Sequence, residues 1–185
     1  MILPIYLYGQ PILRQVSKNV DSNSAALQAK IANMFETMYH ADGIGLAAPQ
    51  VGIADRLLVL DLSVLADQDP DFESLKMVMI NANILECFGE DEEQEEGCLS
   101  LPAIHEKVIR KNKIRVSYLD EHFVAHESVF EGFLARVIQH EYDHLEGRLF
   151  IDGISGIRKQ LIKSKLNKMI KGDVNCSYKY RSIGK

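Results

Sequence analysis

The chain has 185 residues, 46% of them hydrophobic and 25% charged, with a formal net charge of −5. That length and apolar content suit one domain with a real core and leave little room for two. The acidic balance excludes a general DNA binder, no stretch approaches the roughly 20 apolar residues of a membrane span, and Cys87, Cys98 and Cys176 are too irregular for a disulfide framework.

The N-terminus has no basic region and is broken by Pro4 and Gly9, so a signal peptide is not expected and the cytoplasm is the default location. Leu27, Ile31, Met34, Phe35 and Met38 then form one stripe, which predicts an amphipathic helix over residues 25–40 capped by Ser22 or Ser24. Residues 43–52 are small and glycine-spaced and match neither a strong helix nor a packed strand. Residues 57–60 predict a buried strand, 63–76 a polar surface loop, and 77–82 and 84–88 two further strands. Ile114, Val116 and Tyr118 alternate with polar residues as a half-buried strand does, and a turn at residues 120–122 leads into a hairpin partner at 123–130.

From Gly132 the period becomes helical, with Phe133, Val137, His140 and His144 on one face and Gly147 as the stop. A last helix is expected over 157–170. The whole predicts an α+β fold in which mixed or antiparallel strands pack around a central metal-binding helix, with a C-terminal helix. One catalytic domain would span 1–172, and 173–185 would be a polar, frayed tail.

His140-Glu141-Tyr142-Asp143-His144 carries the chemistry. Residues four apart on a helix lie one turn apart on one face, so two imidazoles can converge on one ion. Glu141 points about 100° round the helix, beside the ion and within reach of a water there. Chance histidines on an exposed helix would not need the apolar face that continues through Val137 and Phe133.

A catalytic site of this kind needs a third protein ligand and an open position. Two protease patterns would take it downstream, but Phe150 occupies the histidine position of one, and Glu146 is the last glutamate in the chain. Asp152 and Asp173 remain as weak candidates. Upstream, Cys98 offers a thiolate, and a thiolate with two imidazoles suits zinc or ferrous iron. Read alone, Cys98 is more often a small buried hydrophobe, and as a nucleophile it could also pair with a histidine.

Three segments together resemble the motifs of the peptide deformylase family, in the family's order: Gly43-Ile44-Gly45-Leu46-Ala47-Ala48-Pro49-Gln50, Glu96-Gly97-Cys98-Leu99-Ser100 and Gln139-His140-Glu141-Tyr142-Asp143-His144. The resemblance implies hydrolysis of the formyl group from the N-terminal formylmethionine of nascent polypeptides. It implies that Cys98, His140 and His144 bind one divalent ion, ferrous iron in most members and zinc, nickel or cobalt in others. Glu141 would shuttle the proton, while the Gln50 amide and the Leu99 backbone N–H would stabilise the oxyanion. Ile44, Gly45, Leu46, Gly97, Phe133 and Val137 would receive substrate, and Glu96 with Arg110 would form a supporting ion pair.

Ala103 stands where many members have glycine, and His105 where others often have arginine or tyrosine. Both lie near the expected substrate entrance. The basic stretch from Arg158 to Lys171 could touch ribosomal RNA or be a solvated face. Two rivals share the histidine helix. A zinc endopeptidase lacks its downstream ligand here, and a closed structural zinc site would need neither Glu141 nor Gln50.

Overall fold

A computed structural model describes residues 1–184. After a two-residue strand β1 (Ile5–Tyr6), helix α1 (Ala25–His40) starts where expected, with the Ser24 hydroxyl accepting the N–H of Leu27 at 3.2 Å. Its five stripe residues are all buried. The strands β2 (Gly45–Ala47) and β3 (Leu57–Asp61) follow, and every residue of both is buried.

That burial on two faces reflects helices on both sides of the sheet. Leu57 and Val59 pack with Leu27, Met34 and Met38 of α1. The alternate residues Leu58 and Leu60 point the other way, against Ala135, Val137 and Ile138 of α2 (Gly132–Leu145). Side chains alternate along a strand, so a strand between two layers reads as a continuous apolar run.

Three more strands complete an antiparallel sheet in the order β2-β3-β4-β5-β6: β4 (Lys76–Cys98), β5 (Leu101–Leu119) and β6 (Ala125–Glu131). The α+β expectation with antiparallel strands holds, but the strand lengths do not. The expected strands at 77–82 and 84–88 belong to one long β4, and the half-buried strand at 114–118 is the end of a β5 of 19 residues. Irregularities interrupt the apolar pattern, with Asn81 and Gly89 at φ of 54° and 78°. Beyond them the hairpin is held by opposite charges, with Glu86 facing Arg115, Asp91 facing Lys111 and Glu92 facing Arg110.

Helix α3 (Gly156–Lys171) is capped by the Ser155 hydroxyl and buries Ile162 and Met169, leaving its basic face outward. The expected frayed tail is corrected: β7 (Tyr180–Arg181) pairs in parallel with β1, and the Tyr180 hydroxyl donates to the Gly172 carbonyl at 3.0 Å. Two aromatic residues anchor this segment, which a polar composition concealed. The loop at 63–76 contains two short 3-10 turns, Ser63–Leu65 and Pro70–Phe72, and lays Phe72 against Phe133.

Ala103, near the start of β5, has φ of 58°, and Lys165 of α3 donates to its carbonyl at 3.0 Å. An L-residue in the left-handed region costs about 1–2 kcal/mol, partly offset by the entropy that glycine loses on folding. Ala103→Gly is therefore expected to stabilise the fold by about 0.5 kcal/mol in thermal unfolding; a lowered midpoint would refute the strain.

Candidate metal centre and active site

Helix α2 runs almost wholly buried, and His140 and His144 stand one turn apart on it with their ring centroids 5.3 Å from each other. The end of β4 brings Cys98 to them. Its sulfur lies 3.3 Å from His144 Nε2, and one donor atom from each of the three residues falls within 4.8 Å of the others. Donors of one tetrahedral ion, at about 2.0–2.3 Å from it, sit roughly 3.5 Å apart. The set fits a divalent cation, and it is the one such group among the described residues.

The imidazoles are oriented for that task. His140 Nδ1 meets Glu96 Oε2 at 2.9 Å, which leaves its Nε2 for the site. Burial, with the positive charge of Arg110 adding to it, pushes the His144 imidazole well below its ordinary range. It stays neutral, as a ligand must be. Its Nδ1 is buried without a hydrogen-bond partner among the described residues.

Glu96 is the hub. It accepts from Arg110 Nε at 2.6 Å and Nη2 at 3.0 Å, and from Arg136 Nη1 at 2.7 Å, as well as meeting His140. Burial alone would raise its carboxyl, but the hydrogen bonds and charges of His140 and Arg110 win and hold it down at about 2. Arg110 continues to Asp143 of α2 at 2.8 Å, and Arg136 donates to the carbonyls of Glu92 and Val108, one on each strand of the hairpin. The expected Glu96–Arg110 pair is present. Arg136 lies outside the three motifs, and no local pattern in the sequence marks it.

Glu141 is buried with Oε2 unpartnered among the described residues, and burial pushes its carboxyl up to about 7. It lies directly over Gly45: a Cβ built there would meet its Oε1 at 2.6 Å. Glycine is what lets β2 and the carboxylate pack so closely. Gln50 is equally fixed. Its Oε1 accepts from the Ala47 N–H at 2.8 Å, which turns its amide nitrogen towards Cys98 Sγ and Ser100 Oγ, each 3.4 Å away.

Two cavities open on this cluster and share Ile44, Gly97, His140 and Glu141. The smaller, of ≈140 Å³, is walled by Phe133, Val137 and Arg136. The larger, of ≈430 Å³, adds Gly45, Gln50, Cys98 and Leu99, with Ala103 and His105. Leu46 does not join them: its side chain is buried in the α1 layer beneath β2. Asn175, Cys176, Ser177 and Tyr178 do line the larger cavity, and reading the tail as frayed missed them. His126 bonds Asp120 at 2.8 Å in the β5–β6 hairpin and lines neither cavity.

A family model described as polypeptide deformylase matches residues 2–160. The chain belongs to the peptide deformylase family. A peptide deformylase of Christiangramia forsetii is 45% identical over 98% of this chain and 96% of its own length. Among solved structures, a peptide deformylase from Legionella pneumophila superposes with a TM-score of 0.81 at 38% identity, covering 91% of this chain and 95% of that one. One from Thermotoga maritima gives 0.76 at 42% identity, covering 84% and 99%. The known activity of the peptide deformylase family is hydrolysis of the formyl group of N-terminal formylmethionine on nascent chains, and the family is metal-dependent.

Glu96→Gln would leave two buried guanidinium groups facing a neutral amide. It is expected to cost about 3 kcal/mol of stability and to weaken metal binding roughly 10- to 100-fold. Unfolding and metal titration read both, and wild-type values in the two would contradict the role given to Glu96.

Proposed function

We propose that Cys98, His140 and His144 hold one divalent ion and that Glu141, Gln50 and Leu99 use it to deformylate N-formylmethionyl peptides. The observation that carries this reading is the placement of a buried Glu141 carboxyl, its Oε2 unpartnered among the described residues, beside a three-donor cluster at the junction of two cavities. Ferrous iron is the expected ion, with zinc, nickel or cobalt able to replace it, because the donor set suits several and availability decides. When bound, the ion polarises the formyl oxygen and makes water a nucleophile near neutral pH.

The chain's own groups do the rest. Glu141 takes the proton of the attacking water and passes it to the amine that leaves with the peptide. Water adds to the formyl carbon, the carbon–nitrogen bond breaks, and formate departs. The Gln50 amide N–H, held towards Cys98, and the Leu99 backbone N–H donate to the oxygen on which charge develops.

The substrate backbone has a place to bind. β2 is an edge of the sheet, with Gly45 paired to Leu60 on one side only, so an extended peptide can add alongside Ile44 and Gly45, close to Gly97. The methionine side chain then enters the smaller cavity between Phe133 and Val137. Within 1–172 this makes one catalytic domain. No helix among the described residues is long and apolar enough to cross a membrane. The exposed lysines of α3, Lys163, Lys168 and Lys171, suit ribosomal RNA phosphates and a site of action in the cytoplasm.

Anaerobically prepared protein loaded with ferrous iron is expected to release formate from a formyl-Met peptide. Glu141→Ala should lose about 1,000-fold in kcat while the metal content stays at that of the wild type. A fully active Glu141→Ala enzyme would sink the mechanism.

A further inference from the structure

The larger cavity is lined by segments from distant parts of the chain, and the last of them is Asn175–Tyr178. We propose that this segment is part of the peptide-binding site: Tyr178 positions Leu99, and Asn175 and Ser177 face the substrate residues that follow the formylated methionine. The inference rests on the deformylase reading and extends it to residues outside the three motifs.

The first support is volume. With the formyl group at the Cys98–His140–Glu141 cluster and the methionine side chain in the ≈140 Å³ cavity, the ≈430 Å³ cavity is left for the rest of the peptide. The Asn175–Tyr178 segment borders that space and not the methionine cavity. The side chains of Asn175 and Ser177 are exposed and make no hydrogen bond among the described residues, so their polar groups are available to a peptide backbone.

The second support is the tie to Leu99. The Tyr178 hydroxyl donates to the Leu99 carbonyl at 2.6 Å, and both side chains pack in the apolar cluster of Ile5, Leu7 and Ala41. Leu99 carries the N–H assigned to the oxyanion, and fixing its carbonyl fixes the orientation of that short turn. The segment is itself anchored: Ile5 N–H donates to the Lys179 carbonyl and Leu7 N–H to the Arg181 carbonyl, both at 2.9 Å. Tyr178 is thus a rigid strut between the β1–β7 pair and the turn after Cys98.

The test uses the full-length, metal-loaded enzyme with two substrates, formyl-Met amide and formyl-Met-Ala-Ser. Tyr178→Phe, which removes only the hydroxyl, should lower kcat about tenfold on both while KM changes less than about twofold. The double variant Asn175→Ala/Ser177→Ala should lower the kcat/KM preference for the tripeptide over the amide about fivefold. Wild-type kcat in Tyr178→Phe, or an unchanged preference in the double variant, would overturn the inference. An unaltered enzyme that releases no formate would overturn the deformylase reading, and this inference with it. Formate release without either effect would overturn this inference alone.

Discussion

One buried carboxylate holds the hairpin against the helix. Glu96 at the end of β4 accepts from two arginines and meets His140, and those partners come from β5 and α2. Taking this many charges out of water costs several kcal/mol, and their mutual attraction roughly offsets that cost. The gain is therefore in position more than in stability. Glu96 is tied to His140 at 2.9 Å, and two residues further on Cys98 meets His144 at 3.3 Å, so the same stretch of β4 touches α2 one turn apart.

The same register places everything else that the chemistry needs. β2 packs on α2 through Ala47, and the missing side chain of Gly45 lets Glu141 sit against the strand that the peptide would extend. Gln50 is turned towards the sulfur by the Ala47 N–H one turn earlier. His140 and Gln50 are each oriented by a hydrogen bond outside the substrate space, so their geometry exists before a ligand arrives.

Much of this was legible in the sequence because it depends on local periodicity. The stripe of α1 and the spacing of His140 and His144 are read directly from helical repeats, and the α1 cap is narrowed to Ser22 or Ser24. The third ligand was not, because Cys98 meets the histidines only through the long hairpin; the order of three motifs identified it where periodicity left it among several candidates. The hairpin's length was hidden because its outer half replaces apolar alternation with cross-strand charges such as Glu92 opposite Arg110. Arg136 and Tyr178 escaped for a related reason. Each acts through partners more than 20 residues away, Glu96 and Leu99, and no local pattern announces such a contact.

The central claim is that Cys98, His140 and His144 converge on one ion. X-ray absorption at the metal edge of the loaded protein tests it most directly. The account predicts one sulfur at about 2.3 Å and two imidazole nitrogens at about 2.0–2.1 Å from a zinc-loaded sample. A shell of nitrogen and oxygen with no sulfur would contradict it.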